Sequence, residues 1–175
     1  MALVGRPNAG KSTLLNRLVG QKVAIVSDKP QTTRTRIVGV RNGSDGQVVF
    51  IDTPGIHRPL HRLNVRMVDV AVQSIGQADV VCAVADATEA VGGGDQYLGT
   101  LLARGSSPTV LALNKIDLVP KNSLAYALFE AGLRDNLRMR VQAQPLLLSR
   151  SRIEANYPAS PPPSGVSRSP NFSIR

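Results

Sequence analysis

Two glycines separated by four residues, followed at once by a lysine and a serine, are the first residues whose types and spacing could do chemistry: Gly5-Arg-Pro-Asn-Ala-Gly-Lys-Ser12. Glycines let a backbone turn tightly enough for consecutive N–H groups to face one point. From Gly5 through Asn8, Ala9 and Gly10 to Thr13, such a loop would cradle phosphate oxygens. Lys11 would reach the β- and γ-phosphates as a mobile point charge, and the Ser12 hydroxyl would ligate Mg²⁺. A helix starting at Lys11 would add its positive N-terminal end. Farther on, Asp52-Thr-Pro-Gly55 places a carboxylate where it could hold Mg²⁺ through a water, with the Gly55 N–H free for the γ-phosphate. Asn114-Lys-Ile-Asp117 is suited to a base. The Asp117 carboxylate only accepts, so it matches the N1–H and 2-amino donors of guanine. Adenine offers an acceptor at N1 and no 2-amino group, and a site built this way rejects it. Asn114 could bond the base edge and the loop, while the Lys115 stem covers the ring. Within Pro30-Gln-Thr-Thr-Arg-Thr-Arg36 a threonine could complete the Mg²⁺ shell when a γ-phosphate is present; Thr33 is favoured over Thr32.

These groups need a frame. Val- and Ile-rich runs at Ala2–Val4, Val48–Ile51, Val80–Ala85 and Thr109–Leu113 read as strands. They are continuously apolar, as in a parallel sheet covered on both faces. Helical patterns at Lys11–Val19, Asn64–Ile75 and Asp95–Ala103 lie between them. A strand at Arg36–Val40 would pair antiparallel with the next through a turn at Asn42-Gly43. The alternation predicts an α/β domain with ligands at the carboxyl ends of the strands. Each candidate motif falls at such an end.

The chain has 175 residues, 42% hydrophobic and 19% charged, with 3% aromatics and no Trp, so its core must be aliphatic. That length suits one domain with a tail. Cys82 lies in an apolar run and reads as a small buried hydrophobe in a reducing compartment. The net charge of +9 is uneven. Residues 1–130 hold 14 basic and 10 acidic side chains (+4), and residues 131–175 hold 7 and 2 (+5). More than half the excess therefore sits past the motifs, and charge alone does not establish nucleic-acid binding. No run is long and apolar enough to span a bilayer.

The character changes near position 128. No Lys follows Lys121, and Arg, Ser and Pro accumulate, as in Tyr157-Pro-Ala-Ser-Pro-Pro-Pro163. Residues 1–128 are expected to form the domain and 129–175 a disordered basic tail. The short first strand looks clipped at its start.

Gly5-Arg-Pro-Asn-Ala-Gly-Lys-Ser-Thr-Leu-Leu-Asn16, Pro30-Gln-Thr-Thr-Arg34 and Ile51-Asp-Thr-Pro-Gly-Ile-His57 together resemble the GTPase domain of the Era family, as far as about Lys121. The resemblance implies a P-loop GTPase three-layer sandwich with a mostly parallel sheet. It also implies GTP and GDP as ligands with Mg²⁺, and catalysis by Lys11, Thr33, Gly55 and Asn8, with Asn8 holding a K⁺ ion. Metal contacts would come from Ser12, Thr33 and Asp52. Ile56 stands where Ras-type enzymes carry a glutamine, so slow turnover and a timing role are expected. Partners implied are the small ribosomal subunit and its rRNA, with peripheral membrane association, for a cytoplasmic monomer. The sequence departs from the family in two ways: it has no Gly-x-x-Gly segment of a KH domain, and no clear fifth motif, Ser149 being the nearest. Two other readings stay open. One is a truncated or frameshifted fragment without function; the other is a basic RNA-binding module whose tail, with Tyr157 and Phe172 as its only aromatics past residue 150, binds by charge.

Overall fold

The computed structural model describes residues 1–26, 33, 35–56 and 62–120, and the backbone of a short strand at 146–147. Thr32, His57, Ser149, Tyr157 and Phe172 lie outside the described residues. Among the described residues six strands form one sheet: β1 (Ala2–Val4), β2 (Ile37–Gly43), β3 (Gly46–Asp52), β4 (Val81–Asp86), β5 (Thr109–Asn114) and β6 (Leu146–Leu147). Their order is β2-β3-β1-β4-β5-β6. Only β2 with β3 is antiparallel; the other pairs are parallel. Among the described residues three α-helices lie between them: α1 (Lys11–Val19), α2 (Arg62–Gln77) and α3 (Gly93–Arg104).

Alternation along the central strands divides the core in two. Ala2, Val4, Val81, Ala83, Leu111 and Leu113 face a layer with Ala71 and Ile75 of α2 and Leu98 and Leu102 of α3. Leu3, Cys82, Val84 and Ala112 face Leu14 and Leu15 of α1 on the other side. Helices therefore cover both faces, and the expected three-layer, mostly parallel sandwich is what the residues build. The aliphatic runs suit it, since a strand buried on both sides favours apolar side chains at nearly every position. α1 ends at Gly20, whose left-handed φ of 81° lets its N–H return to the carbonyls of Asn16 and Arg17.

Two expectations need correction. The β2–β3 hairpin does not turn on Asn42-Gly43. Asn42 pairs with Gln47 across the strands, and its Oδ1 accepts a 2.8 Å bond from Gln47 Nε2. Gly43 pairs with Gly46, so the turn falls on Ser44 and Asp45, with Gly46 at φ 143° supplying the return. The stretch 129–175, read as disordered throughout, contributes β6 at Leu146–Leu147. Composition over a long window hid this: three consecutive leucines at 146–148 sit among Arg, Ser and Pro. A parallel partner on the outer side of β5 satisfies backbone groups that would otherwise stay unpaired.

Cys82 is buried as expected, and burial pushes its thiol up to about 12. The unfolded thiol ionises near its ordinary value of 9 while the folded one keeps its proton. Between these values the unfolded chain binds fewer protons, so stability falls as pH rises, by at most about 1.4 kcal/mol per pH unit from this group. Urea unfolding at pH 8 and pH 10 should therefore show a steeper loss for the parent than for Cys82→Ala, by about 1 kcal/mol. Equal losses would mean that the thiol is open to solvent.

Candidate functional site

β1, β3, β4 and β5 end on the same edge of the layer stack, and the four motifs meet there. The loop leaving β1 is shaped by left-handed backbone at Gly5 (φ 154°), Asn8 (φ 60°) and Gly10 (φ 95°). A Cβ on Gly5 would overlap the carbonyl oxygen of Val84, and one on Gly10 would overlap the side-chain nitrogen of Asn114. Both glycines are thus required twice, for φ and for space. Asn8 is exposed within this loop and Ala9 is buried. Alternating left-handed residues turn successive N–H groups toward one concavity, the arrangement that binds an anion.

Lys11, at the first position of α1, is buried. Its Nζ donates to the carbonyls of Gly5 (3.1 Å) and Arg6 (2.8 Å). Burial lowers its pKa to about 8, and the nearby Asp52 carboxylate opposes that shift. Asp52, at the end of β3, is fully buried, and burial raises its pKa. Hydrogen bonds from Ser12 and Thr33 and the Lys11 charge act against this. Ser12 Oγ donates to Asp52 Oδ2 at 2.5 Å and Thr33 Oγ1 to the same oxygen at 3.3 Å, with the two hydroxyls 3.2 Å apart. Asp52 Oδ1 has no hydrogen-bond partner among the described residues. An orphaned buried oxygen beside two hydroxyls fits a hard cation that takes oxygen ligands, completed by phosphates and water. Among the described residues no three His, Cys, Asp or Glu gather to cage a metal. The three expected metal-site residues, Ser12, Thr33 and Asp52, are therefore together. Thr13 lies on the exposed side of α1, facing the cleft described below.

Gly55 packs against the same loop. A Cβ there would stand 2.6 Å from the Pro7 nitrogen, and the next N–H, of Ile56, donates to Gly5 at 2.9 Å. Ile56 is wholly buried in the core, so it cannot orient a water.

At the end of β5, Asn114 Nδ2 donates to the Ala9 carbonyl at 2.9 Å, fastening the base motif to the phosphate loop. Lys115 follows in left-handed backbone (φ 63°), and Asp117 sits exposed in a single 3₁₀ turn, Ile116–Leu118. Gly10, Thr13, Leu14, Arg17, Asn114, Lys115 and Asp117 line a cleft of about 310 Å³. That volume is within the range of small-ligand sites.

Three arrangements were not foreseen. Arg6 pairs with Glu89 (2.8 Å) and with Asp95 (3.2 Å), and Asp95 also accepts from the Gly92 N–H (2.9 Å) at the start of α3. Asn16 donates to Ala24 and accepts from the N–H groups of Val23 and Ala24, at 2.8–2.9 Å, fixing the chain that leaves α1. Lys115 Nζ lies 2.5 Å from Asp86 Oδ2, at the end of β4. Burial works to raise the Asp86 carboxyl, but bonds from Lys115 and Thr88 and the Lys115 charge outweigh it and hold the group below its ordinary value. The one signal in the sequence was an acid directly after an apolar strand, at position 86.

The loop geometry can be tested at Gly10. Gly10→Ala should lower stability by about 1–3 kcal/mol and weaken nucleotide binding at least tenfold. Gly76→Ala, where a Cβ meets nothing within 4 Å at the end of α2, should instead stabilise by about 0.5 kcal/mol. Urea unfolding and nucleotide titration of both variants check this. A Gly10→Ala chain that binds and folds like the parent would show that the loop does not rest on Asn114.

Comparison with known proteins agrees with this geometry. GTPase Era of Heliobacterium modesticaldum is 51% identical over 121 residues, which are 69% of this chain and 40% of that protein. Era of Aquifex aeolicus, in a single-substitution variant solved with GDP and AlF₄⁻, superposes with a TM-score of 0.73 at 32% identity, covering 92% of this chain and 56% of the other. An Era structure with MgGDPNP and nucleotides 1506–1542 of 16S rRNA gives 0.72 at 32% identity, covering 98% and 58%. The chain thus spans between two fifths and three fifths of the length of these relatives. Toc33 of Arabidopsis thaliana, at 20% identity and 0.62, shares the fold. The profile of a family described as the 50S ribosome-binding GTPase matches residues 1–115, and the chain belongs to that family.

Proposed function

We propose that this chain binds GTP and GDP with Mg²⁺ and hydrolyses GTP slowly, as a timing switch in ribosome assembly of the Era kind. The observation that carries the reading is the bond from Asn114 to Ala9. It joins the loop suited to phosphates to the turn suited to a base, which supports one ligand that carries both.

The chain's own groups do most of what such a reaction needs, which is positioning and charge neutralisation. Lys11 exchanges its two carbonyl partners for phosphate oxygens, and the loop N–H groups hold the rest. Mg²⁺ held by Ser12, Thr33 and Asp52 would neutralise charge on the phosphates. Thr33 stands on the same Asp52 oxygen as Ser12, so its hydroxyl is placed to join the Mg²⁺ shell. With Ile56 in the core, no side chain at that position aligns the attacking water, in keeping with slow turnover. A K⁺ ion on Asn8 is part of the proposal. It rests on the resemblance, and faster turnover in KCl than in NaCl is the expected result.

The proposal includes small-subunit rRNA as partner and the cytoplasm as location. The family description refers to the 50S subunit, whereas the solved Era complex holds 16S rRNA. The greater similarity is to Era, and the small subunit is therefore preferred. Among the described residues no helix is long and apolar enough to cross a membrane.

Competition binding checks the base. GTP and GDP should displace a fluorescent GDP, and ATP should not. Asp117→Asn should weaken guanine binding and favour xanthine, whose C2 carbonyl accepts a bond from the new amide. Equal displacement by ATP would sink the assignment.

The basic tail gives a second expectation. RNA binding through its arginines should be indifferent to sequence and fall steeply with salt. Removing residues 148–175, which keeps β6 and takes away four of the seven arginines past residue 130, should lower RNA affinity at low salt and leave GDP binding intact. A salt-resistant preference for one rRNA segment would refute this.

A further inference from the structure

We infer that Asp86 is a specificity-determining positioning residue: by holding the Lys115 ammonium, it keeps the Asp117 carboxylate open for the donors of guanine. The inference rests on the guanine reading above and deepens it.

Lys115 and Asp117 are two residues apart on one turn and line the same cleft. They carry opposite charges, so the simplest outcome would be a pair between them. Such a pair would place an ammonium on the two oxygens that must accept N1–H and the 2-amino group. A carboxylate already satisfied by a lysine reads no base. The structure avoids this. Lys115 Nζ lies on Asp86 Oδ2, and Asp117 has no ion-pair or hydrogen-bond partner among the described residues.

Asp86 is built to win that competition. Its side chain is 9% exposed, while Asp117 is at the surface, so attraction to Asp86 is less screened. Its other oxygen, Oδ1, is fixed by the Thr88 N–H (2.9 Å) and the Thr88 hydroxyl (2.6 Å). The backbone beneath it is fixed too. Asp86 pairs with Asn114 in the sheet, and the Ala87 N–H donates to the Asn114 carbonyl at 2.9 Å. The acceptor is therefore in place before Lys115 arrives. Its pull also supports the left-handed backbone of Lys115, a conformation that a residue with a Cβ adopts at a cost. That same turn brings Asp117 to the cleft.

The test compares GDP with inosine diphosphate, which keeps N1–H and lacks the 2-amino group, on the full chain. The parent should prefer GDP. Asp86→Asn, which removes the charge, should cut the GDP-to-IDP affinity ratio about tenfold as Lys115 turns to Asp117. Adding Lys115→Met to Asp86→Asn removes the competitor and should restore the ratio, although both affinities fall with loss of the ammonium. A merely structural defect at Asp86 would not be repaired by a second substitution. In the parent background, Lys115→Met alone should lower both affinities by a common factor. This comparison stands even if Asp86→Asn fails to fold. A ratio that rises in Lys115→Met means Lys115 already competes in the parent, and it overturns the inference. An unchanged ratio in folded Asp86→Asn, or no recovery in the double variant, overturns it as well. A parent that binds ADP as tightly as GDP overturns the guanine reading itself.

Discussion

The phosphate loop is the constraint on which the rest depends. Three of its residues hold left-handed backbone, and two of those three positions have no room for a Cβ. A loop strained in this way persists only when its surroundings over-determine it. Here it is pressed on Val84 of β4, Pro7 is pressed by Gly55, and Ala9 is held by Asn114. Every functional segment therefore touches the loop, and its shape and the placement of the base motif are one problem. This explains why the sheet brings β1 between β3 and β4: only a central strand can deliver a loop that neighbours on both sides can brace.

The interior of that loop is electrostatically unfinished. Burial lowers the affinity of Lys11 for its proton and raises that of Asp52, so both charged forms are disfavoured where they stand. Each eases the other, but an oxygen of Asp52 is left without a partner among the described residues. Unsatisfied buried groups cost roughly 1–3 kcal/mol each. A polyphosphate with a divalent cation supplies what is missing, an anion for Lys11 and a cation for Asp52. Binding energy is thus drawn from groups that folding leaves poorly solvated, which is the physical sense in which the site is made for its ligand.

Much of this was legible in the sequence because the decisive signals are local. Gly5, Gly10, Lys11 and Ser12 announce a loop and helix in eight residues, and continuous aliphatic runs announce buried strands. What escaped was non-local or short. The hairpin turn slipped from Asn42-Gly43 to Ser44-Asp45 because cross-strand pairing of Asn42 with Gln47, not the turn dipeptide, sets the register. β6 is two residues long, and only the open side of β5 gives it meaning. Asp86 and Asp95 gain their partners only when strand order places them beside Lys115 and Arg6. Spacing along the chain carries no trace of pairs that are 29 and 89 residues apart.

Those two pairs change how the charge around the cleft should be understood. Arg6, Lys11 and Lys115 are three of the cations around the cleft, and counting charge would credit all three to phosphate binding. Arg6 is committed to Glu89 and Asp95, and Lys115 to Asp86. Lys11 alone of the three is held by carbonyls, which bear only partial charge and yield to a phosphate at little cost. The committed cations act instead through geometry: Arg6 fastens the loop to the start of α3, and Lys115 lays its stem along the cleft. Fixing them before ligand arrives spares the rotamer entropy, of order 1.5–2 kcal/mol for each long side chain, that binding would otherwise have to offset. With the carbonyls of Gly5 and Arg6 holding Lys11, the loop has its form before any ligand enters the cleft.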